Sequence, residues 1–180
     1  MKVRVVKRTQ TVPRPIEEAF KFFSNPGCVE VLTPSAMRFR LVGERLDSIQ
    51  PGTVLNYRFY FFRIPLRWRI KIESVDAPNS FVNAQQKGPF ARWKHSQTFI
   101  ANGTKSTEVR DRFEFGVRFG RAGEFVYQTF VKAKIRQLFA FRANEIDMLM
   151  HSNPPRPARV QPNPEPPRHS GEPASKPTRQ

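Results

Sequence analysis

Residues 91–117 read ARWKHSQTFIANGTKSTEVRDRFEFGV, and their pattern is the strongest indication of the fold class. Apolar and polar side chains alternate on both sides of Asn102-Gly103, which is the period of a β-strand with one buried and one solvated face. Asn-Gly is a strong hairpin dipeptide because both residues tolerate a positive φ. The stretch therefore predicts an antiparallel hairpin with strands at Ala91–Ala101 and Ser106–Val117.

The two-residue period of this hairpin determines which polar side chains point inward. When Trp93 faces the core, His95 and Gln97 must face it too. When Phe113 faces the core, Asp111 faces it as well. A register that pairs odd positions with odd ones sets His95 opposite Asp111 or Phe113. The sequence therefore predicts a His–carboxylate pair on the inner face of the sheet.

The same alternation extends N-terminal to the hairpin. The patterned runs are separated by short turn signals, so consecutive strands should pair as an antiparallel meander. With a first strand at Val3–Val12, we expect about seven strands in total. The remaining ones are predicted at 37–41, 55–61, 66–72 and 80–86, with a turn at Arg63-Ile64-Pro65 between the second and third of these.

Three segments have helical periodicity instead. Two short helices are predicted after the first strand, at Pro15–Phe23 and Gly27–Leu32, and a long one at Glu124–His151. The long helix must cover the apolar face of the sheet with its own apolar stripe. Arg142 lies on that stripe, so it either reaches a buried carboxylate such as Asp111 or extends past the helix edge to water. The stripe consists of Val131, Ile135, Leu138, Arg142, Ile146 and Leu149.

Composition indicates one folded domain followed by a tail. The chain has 180 residues, 17 of them Phe, and a formal net charge of +16. Residues 153–180 hold nine of the prolines and no Leu, Ile, Phe or Met, so we expect a folded domain at 1–152 and a disordered, Pro-rich basic tail at 153–180. The tail carries +3 and the domain +13. Phe and Trp are therefore expected on the inner side of the sheet, and Arg and Lys on its outer side.

The cysteine count and the apolar runs exclude several classes of protein. Cys28 is the single cysteine, so neither an intramolecular disulfide nor a Cys/His-rich zinc site is expected, and we predict no metal and no cofactor. No run approaches ~18 apolar residues, which predicts a soluble, cytoplasmic protein or one peripheral to a membrane. Gly116, Gly120 and Gly123 match no phosphate-binding fingerprint, and we interpret them as a plain turn before the long helix.

Three of these stretches together resemble a known superfamily. Residues 87–99, 109–115 and 135–142 are similar to the SRPBCC or START-like superfamily, in particular to its polyketide cyclase/dehydrase-like and coenzyme Q-binding-like bacterial members. The resemblance extends over roughly residues 3–149. It implies an α+β helix-grip fold, in which a curved antiparallel sheet of about seven strands wraps around a long C-terminal helix. It also implies a START-like ligand-binding domain with a cavity for a hydrophobic or amphipathic molecule, and no shared catalytic residue.

Two hypotheses concern this cavity. The first is a non-catalytic protein that transports, sequesters or presents a lipid, quinone or polyketide-like compound. The second is a cyclase or dehydratase that uses His95 and Asp111 as acid and base. A His–Asp pair that merely completes the core, with no ligand, is the structural alternative. The residues predicted to line the cavity are Tyr57, Phe59, Trp68, Trp93, His95, Phe99, Asp111, Phe113 and Ile135.

A third hypothesis concerns the outer face of the sheet. Basic residues on neighbouring strands point outward there and could form one patch for RNA, the ribosome or an anionic membrane. The alternative is a solvated basic face without a partner. DNA is not expected as a partner. The residues of this predicted patch are Arg38, Arg40, Arg58, Arg67, Arg69 and Lys71.

Overall fold

The computed structural model describes residues 2–118 and 120–151. The predicted tail at 153–180 lies outside the described residues. The strands in this part of the chain are β1 (Val3–Val12), β2 (Arg40–Val42), β3 (Val54–Phe61), β4 (Ile64–Asp76), β5 (Ser80–Lys87), β6 (Arg92–Asn102) and β7 (Ser106–Gly116). The helices are α1 (Ile16–Ser24), α2 (Cys28–Val31), α3 (Gly120–Val126) and α4 (Lys132–His151), with a 3₁₀ turn at Ser35–Met37 and a π-helical segment at Tyr127–Val131.

These strands form one antiparallel sheet in the spatial order β1-β7-β6-β5-β4-β3-β2. The strands from β2 to β7 form a meander, as predicted, because short connections can join only antiparallel neighbours. β1 pairs with β7 instead of β2, so α1 and α2 lead the chain from one edge of the sheet to the other. The sheet and its C-terminal helix confirm the predicted helix-grip architecture.

The register of β6 and β7 confirms the predicted parity of inward side chains. His95 lies opposite Phe113, and Gln97 lies opposite Asp111, so odd positions pair with odd ones. The inward side chains His95, Gln97 and Phe99 of β6 are buried. On β7, Val109, Phe113 and Phe115 are buried and Asp111 is half-buried. One face of the hairpin therefore combines aromatic rings with three polar groups.

The strand predicted from Met37 begins later than expected. Ser35–Met37 is a 3₁₀ turn, and Arg38 follows it in the left-handed region with a φ of 44°. An extended strand cannot pass through that conformation. β2 consequently starts at Arg40 and has three residues.

The turn between β3 and β4 also lies elsewhere than predicted. Phe62 and Arg63 form it, both with positive φ (49° and 66°), and Phe61 pairs with Ile64. Positive φ at both central positions is the type I′ geometry that suits the twist of a hairpin, although it usually requires Asn or Gly. The sequence pattern assigned the turn to Arg63-Ile64-Pro65, but Ile64 and Pro65 belong to β4. The difference places Phe62 and Ile64 at the exposed end of the hairpin.

The long helix begins earlier than predicted and is not regular. Gly120 and Gly123 lie within α3, so their interpretation as a plain turn is wrong. Glycine costs only about 1 kcal/mol in a helix, which a long continuous helix can absorb. The π-helical segment joins α3 to α4. No helix in the two described ranges is long and apolar enough to span a membrane.

Side chains of β1, and of Arg14 just beyond its end, attach this helix to the edge of the sheet. Arg4 pairs with Glu124 and stacks on Tyr127, with its guanidinium carbon 3.9 Å from the ring centre. Farther along, Arg8 lies over Phe139 at 5.6 Å, Gln10 donates to the carbonyl of Ala143 at 3.1 Å, and Arg14 donates to the carbonyl of Met150 at 3.0 Å. Strand and helix therefore run in the same direction. Over the contacts made within β1 the lengths match, at about 20 Å from position 4 to 10 and about 24 Å from position 127 to 143.

We expect Ile72→Ala to lower the free energy of unfolding by about 2–5 kcal/mol, because Ile72 is 1% exposed and a cavity would replace its side chain. Val42→Ala is the matched control: Val42 is 51% exposed, so its loss should change stability by about 0.5 kcal/mol or less. Urea unfolding monitored by circular dichroism measures both. Equal midpoints for the two variants would contradict the assigned core.

Candidate functional site

A row of aromatic rings crosses the inner face of the sheet. Trp68 of β4 contacts Trp93 of β6 edge-to-face, with ring centres 4.6 Å apart. Trp93 leads to His95 at 6.0 Å, and His95 stacks on Phe113 of β7 at 4.1 Å with an interplanar angle of 4°. Phe139 of α4 completes the row, 4.9 Å from Phe113. The row therefore joins the sheet to the long helix.

Gly88 allows Trp68 to come close to the chain that follows β5. A Cβ atom added at Gly88 would collide with the Trp68 indole and with the amide of Gln85. That amide is itself fixed, because it donates to the carbonyl of Phe90 at 2.8 Å. Only glycine leaves room for the indole here. Gly88 is thus part of the geometry of the site, and no sequence motif singled it out.

A polar cluster lies beside this row. Asp111 Oδ1 lies 2.7 Å from His95 Nε2 and accepts a hydrogen bond from Gln97 Nε2 at 2.9 Å. The side chains of His95 and Asp111 are 11% and 16% exposed, so solvent competes weakly for these bonds. A carboxylate at Nε2 orients the imidazole and leaves Nδ1 to face another partner. The predicted pair of His95 and Asp111 is therefore formed.

Three buried polar atoms around the row have no hydrogen-bond partner among the described residues: Trp68 Nε1, Asn83 Oδ1 and Arg142 Nε. Asn83 lies directly opposite His95 across β5 and β6, so its side chain also points to the inner face of the sheet. An unpaired buried polar group typically costs about 1–3 kcal/mol, so such groups are rare unless something else satisfies them. Two further buried atoms of the described residues that lack a hydrogen-bond partner, Arg4 Nη1 and Glu30 Oε2, belong to β1 and α2, whereas the three on Trp68, Asn83 and Arg142 belong to elements that carry or flank the row.

Arg142 faces the sheet rather than the edge of the helix. It follows Phe139 by three residues and precedes the buried Ile146 by four, which places all three on one face of α4. The charges of Arg142 and Asp111 both act on the Cys28 thiol, in opposite directions. The Nε atom of Arg142 is buried, but within the described residues Arg142 forms no ion pair with Asp111, so the predicted contact with a buried carboxylate is not observed.

The charges of Arg142 and Asp111 both act on Cys28, but its thiol is kept protonated. Burial raises the pKa of its thiol to about 12, the negative charge of Asp111 adds to the rise, and the positive charge of Arg142 opposes it. The Tyr57 hydroxyl donates to the carbonyl of Pro26 at 3.2 Å, and burial together with Cys28 and Glu30 raises its pKa as well. Neither group is arranged as a nucleophile.

The structure brings most of the predicted lining residues together. Tyr57 and Phe59 are buried and pack with Trp68 through rings 6.1–6.5 Å apart. Phe99 is buried in a neighbouring cluster with Phe20 of α1, 5.4 Å away. Ile135 is half-buried one helical turn before Phe139. The helix residue in ring contact with the row is therefore Phe139. The predicted apolar stripe contained its neighbour Leu138 instead.

The separation of charges by face is incomplete. Arg4 and Arg8 lie on the helix side of β1, opposite Phe115 and Asp111 of β7, while Val3 and Val5 point outward. The expectation that all Arg and Lys occupy the outer side is wrong at this edge, because the long helix offers these arginines carboxylates and aromatic rings. Among the described residues, no group of three or more His, Cys, Asp or Glu side chains is arranged to hold a metal ion.

The predicted outer patch lies on β2, β3 and β4. Arg40 pairs with Arg58, and Arg58 pairs with Arg67, so three arginines lie directly opposite each other on consecutive strands. Arg69 continues the patch opposite Lys87, and Lys71 lies two residues farther along β4. Arg38 lies over the Tyr60 ring at 5.7 Å. The patch is therefore continuous across neighbouring strands.

Solved structures with the same architecture are similar to this chain. The aromatase/cyclase Zhui from Streptomyces sp. R1128 has a TM-score of 0.64 at 12% identity, covering 81% of this chain and 92% of its own. A START superfamily protein from Mycobacterium smegmatis reaches 0.60 at 12% identity, covering 81% and 98%. Norcoclaurine synthase from Thalictrum flavum reaches 0.56 at 17% identity, covering 84% and 89%. No family model and no curated protein matches the chain. The chain thus has the START-like helix-grip fold.

We expect Cys28 to react with iodoacetamide about a thousandfold more slowly in the folded protein at pH 8 than in urea, since raising a thiol pKa from 9.0 to about 12 lowers the thiolate fraction by that factor. Because the folded pKa is the higher one, the free energy of unfolding should fall as pH rises from 9.0 to about 12. Mass spectrometry of timed aliquots measures the rate, with Cys28→Ser as the blank. Equal rates in buffer and urea would contradict a buried thiol.

Proposed function

We propose that the protein binds a hydrophobic or amphipathic small molecule, such as a lipid, quinone or polyketide-like compound, between the inner face of the sheet and α4. The observation that carries this proposal is the set of unpartnered buried polar atoms on Trp68, Asn83 and Arg142, grouped around an aromatic row. A site of this kind typically has an apolar lining with a few converging polar groups. Binding for transport, sequestration or presentation requires no further chemistry.

The three polar groups determine which hydrogen-bond donors and acceptors the ligand should carry. Trp68 Nε1 and Arg142 Nε are donors, so they call for an acceptor such as a carbonyl or carboxylate. Asn83 Oδ1 is an acceptor and calls for a hydroxyl or amine proton. The rings of Trp93 and Phe113 favour a flat or apolar body. An amphipathic molecule should therefore bind better than a hydrocarbon of the same size.

Intrinsic fluorescence tests this proposal directly, because the only two tryptophans in the sequence, Trp68 and Trp93, both belong to the row. We expect oleate and a short-chain ubiquinone analogue to change their emission saturably. Native mass spectrometry of gently purified protein should detect one bound molecule per chain. No titratable change with either probe, and no adduct, would contradict the proposal.

We expect Arg142→Leu to weaken binding of oleate, and Asn83→Leu to weaken binding of the ubiquinone analogue in its hydroquinone form. Each effect should be about tenfold or more, since each variant removes a hydrogen bond from a buried site. Both should leave the free energy of unfolding unchanged or higher, because an unpaired polar group is replaced by an apolar one of similar size. Arg136→Leu is the control, on an exposed position of the same helix. A loss of stability without a loss of affinity would assign both residues to the core instead.

The contact between His95 and Asp111 supports a second candidate, a cyclase or dehydratase. Cyclisation with loss of water needs a base to accept a C–H proton and an acid to protonate the departing hydroxyl, and a His–carboxylate pair 2.7 Å apart can do both in turn. We expect His95→Gln to abolish conversion of a linear poly-β-ketone thioester while the fluorescence titration persists. Equal conversion by wild type and variant, or none by either, would exclude this candidate.

We also propose that the outer basic patch contacts a polyanionic surface. Like charges directly opposite each other on paired strands repel, so the run Arg40–Arg58–Arg67 is costly unless a counter-charge is near. Glu30 lies 3.9 Å from Arg40. Within the described ranges, neither Arg58 nor Arg67 has a carboxylate partner. A phosphate-bearing partner would supply the missing negative charge.

A further inference from the structure

The end of the β3–β4 hairpin exposes apolar side chains next to the basic patch. We call Phe61, Phe62, Arg63 and Ile64 the hairpin tip. Phe62 is 51% exposed and Ile64 is 60% exposed, and both are among the most exposed large apolar residues described. The Phe62 ring packs edge-to-face on Phe61 with centres 4.7 Å apart, and about half of its surface remains exposed to solvent. Adjacent exposed apolar residues at a tip are typical of an interaction site.

The backbone holds this tip in place. Phe62 and Arg63 both have positive φ, and the Phe61–Ile64 pair closes the turn directly. A two-residue turn leaves no slack by which Phe62 could fold back onto the core. The bulky residue is therefore kept at the outermost point of the hairpin, in a conformation that Asn or Gly would adopt at lower cost.

Two arginines of the outer basic patch, Arg58 and Arg67, lie on the strands that lead to the tip. Arg58 and Arg67 pair three residues from Phe61 and Ile64 respectively, which is about 10 Å along the strands. Arg38 and Tyr60 lie between them and the tip on the same face. We call Arg38, Arg58 and Arg67 the arginine collar. An apolar tip followed by this collar matches the depth profile of a bilayer, in which the acyl boundary lies beneath a layer of phosphates.

We propose that the hairpin tip inserts into the surface of an anionic lipid bilayer, with Phe62 and Ile64 at the boundary between headgroups and acyl chains and the arginines on lipid phosphates. This inference rests on the proposed polyanion contact of the basic patch and identifies its partner. RNA would also satisfy the arginines, and Phe62 could stack on a base, but the aliphatic Ile64 has no role in base stacking. The inner face of the same hairpin carries Phe59 and Trp68.

Co-sedimentation of the full chain with vesicles tests the inference. We expect the protein to bind vesicles of phosphatidylcholine mixed with phosphatidylglycerol and to ignore pure phosphatidylcholine. Phe62→Ser/Ile64→Ser should lower the partition coefficient by about tenfold or more, since two apolar side chains return to water. Ile100→Ser is the control: Ile100 is 38% exposed, and it lies near the Asn102-Gly103 turn at the opposite end of the sheet. Binding that the double variant retains in full would overturn insertion.

A charge-matched pair of variants tests the collar. Arg58→Gln/Arg67→Gln should weaken binding about thirtyfold and flatten its salt dependence, since two cations are removed from beside an anionic surface. Arg110→Gln/Arg112→Gln removes the same charge from β7, where Glu108 and Glu114 already pair with those arginines. It should leave most of the binding intact. Equal losses for both pairs would overturn a defined collar.

A fluorescent label on the tip measures insertion itself. In Ile64→Cys, the new thiol is exposed while Cys28 stays buried with a raised pKa, so a polarity-sensitive dye reacts at the tip alone. Its emission should shift to the blue on anionic vesicles. Wild-type protein that binds an RNA homopolymer but no vesicles overturns the bilayer as partner and leaves the polyanion contact standing. Protein that binds neither overturns both.

Discussion

A strand cannot turn one side chain inward without also turning inward the residues two positions away, and the rest of this molecule depends on that constraint. In β6 the large rings of Trp93 and Phe99 must be buried, so His95 and Gln97 between them are buried too. Burial of two polar groups on one strand requires partners, and Asp111 on β7 supplies one oxygen to both. The polar centre is thus a consequence of aromatic burial on a two-residue period.

The features that followed from periodicity could be predicted from the sequence. The number of strands, the β6–β7 hairpin and the inward position of His95 and Asp111 all rest on local alternation and one Asn-Gly turn. The predictions that were wrong concern backbone conformations that the residue type does not indicate. Phe62 and Arg63 adopt positive φ without being glycine or asparagine, and Gly120 is helical although glycine usually is not.

The candidate site was only partly predictable for a different reason. Contacts between the helix and the sheet depend on how the helix is rotated, and the π-helical segment at Tyr127–Val131 changes that rotation ahead of α4. The helix side chain that contacts Phe113 is Phe139, whereas the lining residue predicted on this helix was Ile135. Gly88 matters because a distant indole needs its empty space, and Asn83 because its oxygen has no partner in the described chain. Neither property is visible until the strands are assembled.

The attachment of the helix along β1 has a mechanical consequence. All its contacts, from Arg4 to Arg14, are made by side chains, and none belongs to the backbone hydrogen bonds that pair β1 with β7. The helix and the sheet can therefore separate without the loss of a single strand pair. The sheet is held together by backbone hydrogen bonds, whereas the helix is held to it by side-chain contacts. Separating the two would break the contacts along this edge together with the Phe113–Phe139 ring contact and the burial of Ile146 and Met150.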